Sequence, residues 1–421
     1  MKNRVKKLIN SPLALLTIGT IISNIIPLLI QPVLTRLISP EELGLYNVAI
    51  SLANLIIPIA SLKLYQLIVT VKDDKEAELL TQMSINTVFL VSIIYLVVVI
   101  FGLTFDYEFS GLGWMALMIP FIVFIDGLFY VLTSYFNRYK DYTSMAMSDI
   151  SRGSYRGILQ VLLSTLKANS WGQIISHIIS PIPFLIRSKK NIKLYQYHNR
   201  WVSFNETIKR YSTYKKQIIY TVPSQFINSF SYTLILLSVT ALYPTKLVGY
   251  YSISVKLLGI PLILISTNIS RIYLQKMTES LRYGNNFFEL YKKIVIFLFS
   301  GSGLIFGFLA VVAPTFSEFL FGPGYEEAGK YISILALMFS LRFITSSIAG
   351  TYVIFSKQNR EVFFQALLIV GGVISFVFAN LFVLNIYQYF WLITLSYGLV
   401  YMVMFIDITR LVRMRVEVKN V

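Results

Sequence analysis

Runs of about twenty mostly apolar residues recur along this chain with basic residues between them, and that recurrence limits the fold more than any other feature. A helix needs about 20 residues to cross the roughly 30 Å hydrocarbon layer, and lipid solvates no unpaired backbone group, so each run reads as a membrane span. In the first part of the chain the runs lie near 13–35, 44–69, 80–103, 114–136, 146–166 and 171–187. In the second they lie near 217–242, 247–270, 294–313, 331–355, 362–384 and 388–409. The fifth carries charges and the sixth is short. The opening MKNRVKK has the order of a signal peptide, but its apolar run is long and lacks a small-residue cleavage site, so it reads as the first span.

Composition agrees. With 56% hydrophobic and 14% charged residues and a mean hydropathy of +0.66, the chain exceeds what a water-soluble surface tolerates. In a soluble protein the net charge of +17 would suggest a nucleic-acid partner. Here its placement explains it. The loops after even-numbered spans and the two termini hold 28 of the 37 basic residues, whereas the odd-numbered loops hold only Arg36, Lys167, Lys246 and Lys330. Missing one span would destroy that alternation, so it supports twelve crossings with both termini cytoplasmic, and no nucleic acid is expected. The absence of cysteine rules out disulfides, thiolate metal sites and a Cys nucleophile.

A phrase returns between the halves. GLYNVAIS at 44–51 opens the second span, and GYYSISVK at 249–256 opens the eighth, each with Gly, a Tyr two residues on and a small polar residue next. Pro58 and Pro261 fall at nearly equal depth in those spans. The expected architecture is therefore all-α and duplicated, with an N-lobe at 1–187, a basic cytoplasmic loop at 188–216 and a C-lobe at 217–421. Six spans being an even number, the two six-helix lobes should insert in parallel around a central cavity. The competing reading is that Gly-x-Tyr is common interface chemistry, a small residue for close packing and an aromatic at the headgroups.

Three phrases carry a family resemblance: PVLTRLISPEELGLYNVAIS at 32–51, VGYYSISVKL at 248–257 and FGPGYEEAGKYISILAL at 321–337. In the first, Leu34, Thr35, Arg36, Ser39, Pro40, Glu41, Gly44 and Tyr46 carry it, and in the third Gly322, Tyr325 and Ala328 do. The chain resembles the polysaccharide exporters of the multidrug/oligosaccharidyl-lipid/polysaccharide (MOP) superfamily, in particular the Wzx-type flippases of lipid-linked O-antigen or capsule units. The resemblance implies alternating access in a bacterial inner membrane and no enzymatic role. It also implies a lipid-linked oligosaccharide on undecaprenyl diphosphate as substrate, with a polysaccharide polymerase complex and a coupling proton or sodium ion as expected partners. It does not imply the glycan.

Five basic side chains lie within apolar runs: Lys63, Arg152, Arg156, Lys256 and Arg342. A charge at mid-membrane costs about 2.5–3.5 kcal/mol on insertion scales, so these are candidate substrate contacts facing a wet interior. Arg152 and Arg156 stand four apart on one helical face, a paired cation suited to a diphosphate, although Asp149 three residues earlier could neutralise them. Lys63 and Lys256 are near enough to span ends to snorkel to headgroups instead. Asp126 in span four is the candidate coupling carboxylate, with an ion pair to a cavity arginine as the competing role. His177 could titrate, but a hydrogen bond to a neighbour is the simpler expectation. Spans one and seven are kinked and polar in parallel, with Asn24, Pro27, Gln31 and Pro32 in one and Pro223, Ser224, Gln225 and Asn228 in the other, and these are candidate gating residues or static kinks. The basic, aromatic segment 187–216 is expected to bind anionic membrane lipids.

Two other functions compete. A drug or organic-cation exporter would want carboxylates, yet the five basic residues face only Asp126, Asp149 and the end-lying Asp407 in the spans. A polymerase or glycosyltransferase needs a sizeable loop with acid, base or metal ligands, and the longest expected outer loop, 314–330, offers Glu318, Glu326 and Glu327. No Walker loop, Cys/His cluster or nucleophile triad is seen, so no cofactor is expected.

Overall fold

The structure is a computed structural model that describes residues 12–105, 111–188, 204–283 and 287–419, and every regular element among them is helical. Contacts divide the chain at Ser229/Phe230 into two units. The first contains α1 (Pro12–Leu37), α2 (Pro40–Ile56), α3 (Leu64–Thr70), α4 (Asp74–Thr104), α5 (Ile119–Arg138), α6 (Tyr142–Thr165), α7 (Asn169–Ile179) and α8 (Ile182–Ser188). Helix α9 (Phe204–Leu242) runs through the division. The second unit continues with α10 (Thr245–Pro261), α11 (Thr267–Tyr283), α12 (Phe287–Phe321), α13 (Glu326–Ile348), α14 (Gly350–Ile354), α15 (Gln358–Leu381) and α16 (Ile386–Lys419). Among the described residues nine helices are long and apolar enough to cross a membrane. The all-α, multi-pass membrane class follows.

The remaining expected spans, the first, fifth and sixth, are helical too. Helix α1 is 26 residues long and includes the apolar stretch Ile25–Leu37. Helix α6 carries Asp149, Arg152 and Arg156. The sixth run is split into α7 and α8.

Three further expectations are corrected. The run 44–69 is not one helix: after α2 the chain makes a 3-10 turn at Ile57–Ile59 around Pro58, and Leu62 and Lys63 then take left-handed conformations before α3. A proline ring cannot continue the hydrogen-bond ladder, and two successive non-glycine residues at positive φ mark a sharp change of direction. The matching Pro261 is followed by a π-turn at Leu262–Ser266, a gentler break that lets α10 run on into α11. The supposed outer loop 314–330 is mostly helix, because α12 continues to Phe321 and α13 starts at Glu326. The basic loop 188–216 is helical from Phe204 as the start of α9, where Tyr211 hydrogen-bonds Thr87 and Tyr214 hydrogen-bonds Glu76 on α4. Residues 189–203 of that loop lie outside the described residues.

Two devices fix the first unit. Ser39 caps α2 by accepting from the Glu42 N–H at 3.3 Å, with Pro40 in the first turn. Helix α6 lies against α1 through small residues. A Cβ on Gly19 would meet Ala146, one on Gly153 would come within 3.0 Å of the Ser23 carbonyl oxygen, and one on Gly157 would collide with the tip of Ile30. Without a hydrophobic drive between helices in lipid, such close backbone approach is what holds them. The second unit repeats the idea at Gly329, whose Cβ would come within 2.4 Å of the Ala313 oxygen. There Pro314 cannot donate to the Ala310 carbonyl four residues back, and the Ser333 hydroxyl does so at 2.5 Å.

Candidate functional site

Proline and glycine build the site in the first unit. Pro27 leaves the Ser23 carbonyl of α1 without its helical donor, and Gly153 of α6 packs on that oxygen with no side chain between. Along α6 the residues 149, 152, 153 and 156 follow the i, i+3, i+4, i+7 spacing of one helical face. Asp149, Arg152, Gly153 and Arg156 of that face, with Ser23 and Pro27 of α1, line a hollow of about 230 Å³. The structure thus brings the paired arginines together at a cavity, and places the expected gating residue Pro27 beside them.

Behind the hollow runs a chain of buried polar groups. Arg152 Nη2 donates to Asp126 Oδ1 at 2.6 Å, and its guanidinium lies 4.5 Å over the Phe129 ring. His177 Nε2 lies 3.0 Å from Asp126 Oδ2, and Nδ1 lies 3.2 Å from the Tyr46 hydroxyl, which accepts from Gln160 Nε2 at 3.3 Å. With Tyr46 donating to Nδ1 and Nε2–H donating to Asp126, these links each have a donor and an acceptor, and Nε2 then has no lone pair left for Arg156. Asp126 is therefore occupied on both oxygens, by a guanidinium and an imidazole. Arg156 Nη2 stands 3.2 Å from His177 Nε2, and its Nε donates to Ser180 Oγ at 3.5 Å. Its partners carry no negative charge. The orphaned Arg152 Nε is a further buried donor on the pair.

Other candidates fall elsewhere. Lys63 is buried in the break after α2 and donates to Gln225 Oε1 at 2.8 Å and to the Tyr65 hydroxyl at 3.2 Å, so a candidate substrate cation and a candidate gating amide are one contact. Gln31 is buried in α1, and the Pro32 carbonyl accepts from Thr35 Oγ1 and Arg36 Nη1. Asn228 and Pro223 stand on α9, and the side chain of Asn24 lies outside the described residues. In the second unit Lys256 is exposed on α10, and Arg342 of α13 stacks 3.7 Å over the Tyr232 ring, with Tyr251 and Tyr401 in electrostatic range.

Sequence reasoning left Gln160 and the two glycines of α6 without a role, and gave Tyr46 a place only in the repeated and family phrases. The signal was present in GSYRG at 153–157, a small-xxx-small motif interleaved with the arginines. The repeated Gly-x-Tyr is also clarified. Tyr46 and Tyr251 are both buried, in range of Arg156 and Arg342 respectively, and are not headgroup anchors.

Residues 33–328 match the polysaccharide biosynthesis protein family. The chain belongs to that family. No curated protein matches its sequence. Among solved structures this family member is similar to the lipid II flippase MurJ in an inward closed conformation, with a TM-score of 0.72 at 16% identity over 94% of this chain and 87% of that one. It is also similar to an inward-facing multidrug resistance MATE transporter of the MOP superfamily, with a TM-score of 0.68 at 11% identity over 96% and 94% of the two chains. A third is a MOP superfamily transporter from Pyrococcus furiosus whose structure carries the description "reverse polarity of binding pocket", with a TM-score of 0.61 at 12% identity over 96% and 95%. The family member therefore has the fold of the MOP superfamily transporters.

Proposed function

We propose that this protein is a flippase that moves an undecaprenyl-diphosphate-linked oligosaccharide, an O-antigen or capsule repeat unit, from the cytoplasmic to the outer leaflet of the bacterial inner membrane by alternating access. One observation carries the reading: two arginines, four residues apart on a membrane helix, line a polar hollow in a chain of the polysaccharide biosynthesis family. A diphosphate drawn through a bilayer needs counter-charge, and guanidinium forks bind phosphate oxygens two at a time. At about 230 Å³ the hollow suits a headgroup, because sites for drug-sized molecules run to roughly 300–1,000 Å³. The glycan and the prenyl tail would lie outside it. MurJ, described as a lipid II flippase, supports the analogy, and the arginines here oppose the polarity a cation exporter would want.

The same proposal covers the remaining expectations. The termini face the cytoplasm, a proton or sodium ion drives the cycle with Asp126 as the coupling carboxylate, and a polysaccharide polymerase complex receives the product. The test is loss of the protein in its host. Lipid-linked repeat units should accumulate on the cytoplasmic leaflet and be cleared by wild type, but not by Arg152→Ala with Arg156→Ala at equal expression. Full rescue by that double variant would remove the arginines from the mechanism.

A further inference from the structure

His177 stands between two opposite charges. Its Nε2 lies 3.0 Å from Asp126 Oδ2 on α5 and 3.2 Å from Arg156 Nη2 on α6. Those two groups are in electrostatic range of each other, yet the ion pairs of Asp126 are with Arg152 and His177, not with Arg156. We propose that His177 is a positioning residue: its ring holds the Asp126 carboxylate away from Arg156 and so reserves that guanidinium for the diphosphate. The proposal deepens the reading of the hollow as a diphosphate site and rests on it.

An ionised carboxylate only accepts, so with Asp126 ionised the ring nitrogen that faces it carries the imidazole proton. That N–H leaves Nε2 no lone pair for Arg156, whose remaining partner, Ser180 Oγ, lies at 3.5 Å. A guanidinium with such weak acceptors gains more from a phosphate oxygen than one already bridged to a carboxylate, because the ligand then displaces little. Arg152 is the contrasting case, since Asp126 takes its Nη2 at 2.6 Å. Without the ring Asp126 could take both arginines, because a carboxylate has about four acceptor sites. The ring is held at both ends: Tyr46 on α2 meets Nδ1 at 3.2 Å while Asp126 meets Nε2, so turning it would break both contacts. Arg152 and Arg156 line the hollow and His177 and Asp126 do not, so the ring acts on a ligand through the arginines. Asp149 lines the hollow too and has an interaction of its own.

The experiment measures binding of undecaprenyl diphosphate to the purified full-length protein in detergent, by native mass spectrometry. His177→Ala should weaken binding about tenfold, the worth of one charge-assisted hydrogen bond. His177→Ser, small and polar, should do the same. His177→Gln, whose amide N–H can donate to Asp126 in place of Nε2–H, should recover part of that loss. In an Asp126→Asn background the acid that would capture Arg156 is gone, and His177→Ala should then cost at most about twofold. A histidine that only supports the fold would weaken binding equally in both backgrounds. That result, or wild-type binding by His177→Ala and His177→Ser, would overturn the proposal. Arg152→Gln with Arg156→Gln separates the two readings. If that variant loses the lipid while the histidine effect is the same in both backgrounds, the diphosphate reading stands and only the role of His177 falls. If it binds as wild type does, the diphosphate reading fails and takes the proposal with it.

Discussion

Asp126 is a carboxylate with a donor on each oxygen, and its neighbours depend on it. Replacing it by Asn removes the negative charge from beside a half-buried guanidinium, and breaking a buried pair from one side costs about 3–5 kcal/mol. Asp126→Asn should therefore lower the unfolding temperature in detergent. Adding Arg152→Gln should recover part of the loss, and an additive double variant would show that the two groups are not energetically coupled. At Lys63 the sign is reversed. Its ammonium is buried against neutral acceptors, so Gln225→Glu supplies the missing charge and should raise the unfolding temperature, whereas Gln225→Leu should lower it. If the break after α2 must move relative to α9 during transport, the stabilised variant will also be the slower one, measurable as flipping rate in vesicles.

Glycines act at the scale of elements, and their surroundings rank them. Gly153 lies against the backbone of Ser23, which cannot move without α1, while Gly157 lies against the end of the Ile30 side chain, which can rotate away. Overpacking costs about 1–3 kcal/mol when the neighbour cannot yield. Gly153→Ala should consequently destabilise the protein more than Gly157→Ala, read as unfolding temperature, and should deform the hollow that both arginines line. In the second unit Ser333→Ala strips the Ala310 carbonyl of its donor beside Pro314 and should cost about 1–3 kcal/mol for an unsatisfied buried group. The helices themselves were legible in the apolar runs. Their breaks were less so, since Pro58 and Pro261 have the same sequence signal and gave a 3-10 turn with two left-handed residues in one case and a π-turn in the other.

For the whole molecule, charge placement makes a prediction that needs no knowledge of the substrate. The chain has no cysteine, so a single one can be introduced cleanly. Pro323→Cys, in the exposed link between α12 and α13, should react with an impermeant thiol reagent from outside the cell, and Gln358→Cys at the start of α15 only from the cytoplasm. Equal labelling from one side would overturn the topology. The sequence by itself determined that this chain must cross a membrane many times as helices, because lipid tolerates no unpaired backbone and each crossing needs its own apolar run. It also determined that Arg152 and Arg156 share a face, because the helical period is local. What only tertiary structure decided is who meets whom. Asp126 lies 26 residues from Arg152 and 51 from His177, and Lys63 lies 162 from Gln225. Periodicity tells which way a side chain points from its own axis, but not which helix stands there. That is set by backbones approaching where glycines permit it, and by the requirement that each charge drawn out of water find an opposite charge, a dipole or an aromatic face.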